Sequence, residues 1–411
     1  MGAGKEITTK RYRIESELGE IETKSHKSES YDSSKELFEP VASREKFKSV
    51  RLLELEMDYS TDMSARDASR RLNRIRQEKG GISAQTYRNT VEREGAAMLA
   101  AMEEKCDETL LENGFDLNGE LKEDEEFTPE ASKHIPIEAI GTAVCELNLK
   151  TKVYVKDYEL PESSVAISVD DVCVDRQSLT RPCGEEEQPK RVNNSVIHAE
   201  TTEGKYILNS ANVSGVLRLL LGFLLNGGIL GKQLMFFTDG AKEIHNAIHT
   251  MFAFANYKII LDWWHLQKKC KEQLSMALYG RNIRNEFLDE LLPCLWFGNV
   301  DGVIKLLQNV NPKKIKNSEY IAKLIEYFQR VRDYIPNYAL RKELGLRISS
   351  NLGEKSNDLI VSSRQKNNGM SWSDDGSHAF ASVAAVAYNG ELANWIHHNS
   401  LSFQLSIPDA A

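Results

Sequence analysis

Apolar positions recur along the chain in two rhythms, and their order outlines a fold. Between positions 43 and about 104 the rhythm is helical. Val50, Leu53 and Met57, then Ala65, Ala68, Leu72 and Ile75, fall at three- and four-residue spacings. Gly80-Gly81 interrupts this pattern, and Ser83 is placed to cap a further helix through Thr86, Tyr87 and Val91. Two short helices joined at a glycine turn fit a helix-turn-helix unit. Arg66, Arg70, Arg71, Arg74, Arg76, Lys79, Arg88 and Arg93 are expected on its exposed positions. They form either a solvated helical face or, with Gln85, Thr86 and Asn89, a surface that enters a DNA groove.

Beyond position 135 the rhythm changes to strands alternating with helices. Segments 164–174, 191–200, 205–210, 233–238 and 257–262 read as strands. Segments 213–225, 241–252 and 265–278 read as helices. Three antiparallel strands followed by this alternation predict an α/β fold, a mixed sheet covered by helices. Residues 280–349 are expected to be almost wholly helical, with Phe287, Leu291, Leu292, Leu295, Val303, Leu306 and Leu307 as apolar faces. The expected organisation is therefore a disordered or loosely attached 1–40, a helical DNA-binding region 41–111 and an acidic linker 112–134. An α/β core over 135–279, a helical insertion 280–349 and a return to the core over 350–411 complete it.

Composition narrows the class without choosing a function. The 411 residues are 41% hydrophobic and 27% charged, with net charge -9, so no basic coat covers the whole surface. Local basic patches can still bind nucleic acid. Cys106, Cys145, Cys173, Cys183, Cys270 and Cys294 are scattered without a Cys-x-x-Cys pair, which predicts reduced thiols and no zinc knuckle. The polar N-terminus has no apolar signal region, and the most apolar stretch, 216–230, is too short and interrupted to span a bilayer. A cytoplasmic protein is expected.

Candidate chemistry lies in three acidic positions. In Ser-Val-Asp-Asp-Val, alternation sends Asp170 and Asp171 to opposite strand faces. Asp239, in Thr-Asp-Gly-Ala, follows an apolar strand, where either a helix cap or a ligand is expected. Glu354, in Ser-Asn-Leu-Gly-Glu-Lys-Ser-Asn-Asp (350–358), falls in the first turn of a helix. Carboxylates on separate rigid elements suit magnesium, which takes oxygen ligands and acts on phosphates. Asp262 and His265, in Asp-Trp-Trp-His, form only a weak zinc pattern and read as supporting groups. Lys268, Lys269 and Lys271 follow them and would face a phosphate backbone or solvent.

In this order, these motifs together with Ile-Leu-Asp-Trp-Trp-His-Leu and Arg-Gln-Lys-x-x-Gly-Met-Ser-Trp-Ser (364–373) resemble the DDE transposases of prokaryotic insertion sequences. The likeness is to the group related to Mutator-type enzymes and covers roughly 135–395. It implies an RNase H-like core in which Asp170, Asp239 and Glu354 hold two Mg2+ ions, with Mn2+ as a substitute. Asp262 and His265 would match the family's Asp/Cys-x-x-His pattern. The family has one Asp followed by a small residue in the first strand, whereas here Asp171 follows Asp170 and is the alternative ligand. The resemblance implies strand cleavage by water, then joining to target DNA by a 3′-hydroxyl. Partners would be double-stranded terminal repeats and target DNA, with a homodimer or larger assembly on nucleoid DNA. Arg70, Arg71, Arg74 and Arg88 in the N-terminal region, with Lys268, Lys269, Lys271, Arg364 and Lys366, are the expected DNA contacts. A nuclease without strand joining and a non-catalytic DNA-binding relative remain the alternatives.

Overall fold

The computed structural model describes residues 8–27, 47–77, 81–147, 158–178, 190–366 and 370–406. Strands β1 (Thr8–Ser16), β2 (Gly19–Lys27) and β3 (Phe47–Lys48) precede helices α1 (Val50–Asp62), α2 (Ala65–Ile75) and α3 (Ala84–Glu112). After α4 (Ile137–Glu146) come β4 (Ser164–Asp175), β5 (Arg191–Glu200), β6 (Lys205–Ser210) and α5 (Val213–Asn226). The alternation closes with β7 (Gln233–Thr238), α6 (Lys242–Met251), β8 (Tyr257–Leu261) and α7 (Trp263–Ala277). Four helices follow: α8 (Arg281–Trp296), α9 (Val300–Gln308), α10 (Ser318–Val331) and α11 (Tyr338–Glu343). Then come α12 (Asn351–Asn357), a π-helical turn (Asp358–Ser362), α13 (Ser363–Gln365), α14 (Asp374–Tyr388) and α15 (Leu392–His398). The chain forms two compact units, the first of Met1–Glu104, Val172–Asn194 and Asn357–Ser402, the second of the remainder.

The first unit is mainly helical. Ser49, Ser64 and Ser83 cap α1, α2 and α3, each accepting a hydrogen bond from a backbone N–H of the first turn. Leu53, Met57, Ala68, Leu72, Tyr87 and Val91 are buried as their periodicity requires, but Ile75 is exposed. Arg76, expected at the surface, is buried, and Lys79 lies outside the described residues. Helix α2 and the Ser83-capped start of α3 flank the expected turn, but α3 runs on for 29 residues and is not the short helix expected. Gly95 on α3 meets the backbone of Ala379 on α14 so closely that an added Cβ would lie 2.1 Å from its carbonyl oxygen. Only glycine permits that approach. Residues 8–27, expected to be loose, instead pair as an antiparallel hairpin, and β3 joins β1 in parallel.

The second unit holds a five-stranded sheet in the order β6-β5-β4-β7-β8, where β4, β7 and β8 are parallel and β5 pairs antiparallel with β6. Every residue of β7 is buried, as a central strand covered on both faces demands. Met235, Phe237 and Ile260 join a core with Leu266, Leu291, Leu295, Val303, Leu307 and Phe328 from α7 to α10. Residues 281–343 supply the helices α8 to α11. Phe236 packs on Phe252 at 5.2 Å between ring centres, and Tyr206 stacks on Phe223 at 4.7 Å. The stretch 112–134, whose composition reads as a linker, packs within this unit. Phe115 is fully buried and packs at a tilt against Phe254, and Glu130 donates its N–H to the Gly231 carbonyl. Among the described residues no helix is long and apolar enough to cross a membrane, and no disulfide joins the cysteines.

Candidate active site

Backbone pairing lines up the acidic residues before any side chain is considered. Ser168 pairs with Phe237 across β4 and β7, and Thr238 pairs with Leu261 across β7 and β8. Continuing those registers past the last paired residues sets Asp170 opposite Asp239, and Asp239 opposite Asp262. The Asp262 N–H still donates to the Thr238 carbonyl at 2.8 Å. Asp170 thus stands midway along β4, while Asp239 and Asp262 follow directly after β7 and β8, the side of a parallel sheet where ligands bind.

Each carboxylate has a different environment. Asp170 shares a strand face with Ser168, and α12 covers that face. Gly353 comes so near that an added Cβ would lie 2.6 Å from Ser168 Cβ. Burial pushes the Asp170 carboxyl up to about 6, against the pull of His265 and with added repulsion from Asp239. Asp171 points the other way, and its carboxylate accepts the Ser195 hydroxyl of β5. Burial also raises Asp171, opposed by that hydrogen bond, and Asp239 repels it too. Of the two neighbours, Asp170 is the one that also feels His265.

Asp239 is exposed and does not cap α6. Its Oδ1 accepts the Ala241 N–H at 2.8 Å, closing a tight turn around Gly240 at φ +86°. A side chain at Gly240 would also strike Leu261 and Tyr327. Just before the turn, Thr238 hydrogen-bonds His245 at 2.8 Å, and burial together with Arg330 lowers that imidazole to about 4, so it is neutral at physiological pH.

Asp262 is fully buried. Its Oδ1 accepts the His265 N–H at 2.8 Å, capping α7, while Oδ2 accepts both the Ser350 N–H and the Ser350 hydroxyl. A carboxylate so occupied is a clamp between α7 and the start of α12, and is not available as a ligand. The clamp brings together the residues beyond it. His265 Nε2 lies 2.9 Å from Glu354 Oε1. Trp263 is buried against Trp296 and Tyr338, whereas Trp264 is exposed.

The sequence-predicted residues thus gather as Asp170, Asp239, His265 and Glu354, with Asp171 turned to β5 and Asp262 beneath. Among the described residues, no three His, Cys, Asp or Glu side chains already converge as ready-made ligands of one ion. The donor chemistry nonetheless fits a hard divalent cation. Two carboxylates repel each other across β4 and β7, and burial together with that repulsion raises the Asp170 carboxyl, which a bound cation would offset.

The expected DNA contacts divide. Arg70, Arg71, Arg74, Arg88, Lys268, Lys269, Lys271 and Lys366 are exposed. Lys269 lies over the Tyr327 ring at 5.5 Å, and Arg71 over Tyr59 at 5.1 Å. Arg364 is a correction. Its guanidinium is 7% exposed, set over Trp372 and Phe380 at 5.3 and 5.2 Å, and cannot reach a DNA backbone. Trp372 in turn donates its indole N–H to the Gln365 carbonyl. The Arg-Gln…Trp-Ser motif is a folding clasp of the first unit, ending in Ser373, which caps α14.

Two polar residues beneath the site escaped the sequence reading, Ser350 and His198. A histidine within the buried run Val196-Ile-His-Ala was the available signal, since a polar group in a core strand needs a partner. No protein-family model matches the chain, and no curated protein matches it.

Proposed function

We propose that the chain is a divalent-metal-dependent DNA phosphoryl-transfer enzyme of the DDE transposase kind, built on an RNase H-like core. The observation that carries this reading is the convergence of Asp170, Asp239, His265 and Glu354. They come from β4, the turn after β7 and two helices, separated by up to 184 positions in sequence (354 minus 170). Carboxylates so arranged suit Mg2+, which when bound would polarise a scissile phosphate and favour deprotonation of the attacking water or hydroxyl. Asp170, Asp239 and Glu354 would hold the cation. His265, whose Nε2 meets Glu354, would orient that carboxylate and could hold or pass a proton at Nε2. Asp262 keeps α7 and α12 in place throughout.

The nucleic-acid side of the reading rests on the exposed face of α7. Trp264, Lys268 and Lys271 fall at successive helical turns on one stripe that begins next to His265. An aromatic ring in line with two ammonium groups suits a base and its flanking phosphates. In the first unit, Arg70, Arg74 and Arg88 supply further exposed positive charge for binding element ends.

The test uses the purified full chain, Mg2+ and duplex DNA carrying the sequences that bracket its own gene. Asp239→Ala and Glu354→Ala should each lower strand cleavage by about 1,000-fold or more while the melting temperature stays near that of the parent. Cleavage that survives either substitution would sink the assignment and leave the non-catalytic reading. Products joined to a second duplex identify a transposase, and cleaved products alone identify a nuclease.

A further inference from the structure

Glu354 sits in α12, the first two turns of a helical run that continues through the π-helical turn and α13 to Gln365, and its position depends on what ties those first turns to the sheet. At the start of α12 the holder is Asp262, through Ser350. Near its other end Ser356 is 3% exposed, and its hydroxyl lies 2.9 Å from His198 Nδ1 on β5. His198 is itself 3% exposed and takes no part in the chemistry proposed above. Its other nitrogen, Nε2, faces Glu200 Oε2 at 3.5 Å, and the same carboxylate is paired with Arg347. A line of polar contacts therefore runs from Arg347 through Glu200 and His198 to Ser356, two residues from Glu354. Burial alone would raise the Glu200 carboxyl, yet His198 and Arg347 hold it at about 2, so this line carries a fixed negative charge at its centre.

We infer that His198 is a positioning residue for Glu354: it bolts the far end of α12 to β5 as Asp262 bolts the near end to β8. Between the two bolts Gly353 rests on Ser168 with no room for a side chain, so the helix is held at three points along its length. A helix fixed at both ends presents the Glu354 carboxylate at one height above the sheet. With the far bolt drawn, α12 loosens from β5, and Glu354 samples positions outside the reach of Asp170 and Asp239. Because the reacting groups must be placed to within fractions of an ångström, such loosening lowers turnover far more than it lowers substrate affinity.

This inference rests on the proposed phosphoryl-transfer reading for its kinetic consequence but not for its structural one, and the experiment separates the two. Ser356→Ala removes one buried hydroxyl, and His198→Phe fills the imidazole site without polar atoms. His198→Asn keeps a polar atom near the Nδ1 position. Hydrogen exchange of the α12 amides, in the metal-free full chain, should speed by about 10-fold or more in Ser356→Ala and His198→Phe. In His198→Asn it should recover at least in part. Cleavage turnover should fall by about 10- to 100-fold with DNA affinity unchanged. The double variant should be no worse than the more severe single one, because both draw the same bolt. If α12 exchange is unchanged in Ser356→Ala, the bolt does not exist, even if His198→Phe fails to fold. If exchange speeds up but Glu354→Ala leaves cleavage intact, the bolt stands and the catalytic reading falls. Additive effects of the two substitutions would also overturn the inference.

Discussion

Two pairs of charged side chains in the second unit show opposite solutions to the same problem. Glu159 and Arg341 are 4% and 3% exposed, and the guanidinium grips the carboxylate through both nitrogens while its Nε donates to the Arg347 carbonyl at 2.7 Å. Every charge there is met by its opposite, the condition under which burial of ions is tolerated. Where β4 runs beside the end of β7 the neighbours carry the same sign. Asp170 is half-buried beside Asp239, with His265 and the Asp171 N–H pulling in its favour. A fold that matches charge so well in one place and leaves like charges together in another is marking the second place for a ligand.

Breaking the first pair should produce the largest effect on stability. Glu159→Ala leaves Arg341 buried without its counter-ion, and a loss of about 3–5 kcal/mol is expected in urea titrations. A loss under 1 kcal/mol would remove the contrast. The second pair should respond with the opposite sign. The carboxyl of Asp170 is raised from 3.8 to about 6, so the folded chain binds this proton more tightly than the unfolded chain. Below about pH 4 both states are protonated and nothing is lost, and as pH rises to 6 the folded state loses stability relative to the unfolded one. Asp170→Asn should therefore stabilise the metal-free chain by up to about 3 kcal/mol at pH 7.5 and by nothing near pH 4. A variant less stable than the parent at pH 7.5 would show that Asp170 is an ordinary structural carboxylate. The smallest effect sharpens the comparison from the first unit, where Arg364 is buried between rings. Arg364→Lys should cost about 1–2 kcal/mol in stability and leave DNA affinity unchanged. Weaker DNA binding at unaltered stability would return Arg364 to the list of DNA contacts.

The alternating core was legible because its strands are apolar runs bounded by turns, and because Gly240 and Gly353 punctuate the chain beside Asp239 and Glu354. The choice between Asp170 and Asp171 was not, since alternation says that they diverge but not which face α12 will cover. Asp262 read as a supporting group, but what it supports was not legible, because its partner Ser350 lies 88 positions away. Arg364 was misread for the same reason in miniature: a basic residue after a polar run looks exposed until Trp372 and Phe380 fold over it. The hairpin at 8–27 was missed because its strands carry few apolar residues, so the pairing leaves little periodic trace. In each case the deciding contact leaves no mark in the local pattern of apolar positions.

The register across β4, β7 and β8 carries a consequence for how tolerant this chain is to change. The last paired residues of β4 and β7, Ser168 and Phe237, lie two positions before Asp170 and Asp239, so a ladder of peptide hydrogen bonds, about 4.8 Å per strand, sets where both carboxylates start whatever the neighbouring side chains. Glu354 has no such ladder, because its height above the sheet depends on two polar contacts and one glycine. Accumulated mutation would therefore leave the first two carboxylates in gauge long after the third had drifted. A worn copy of this protein would keep half of its site intact.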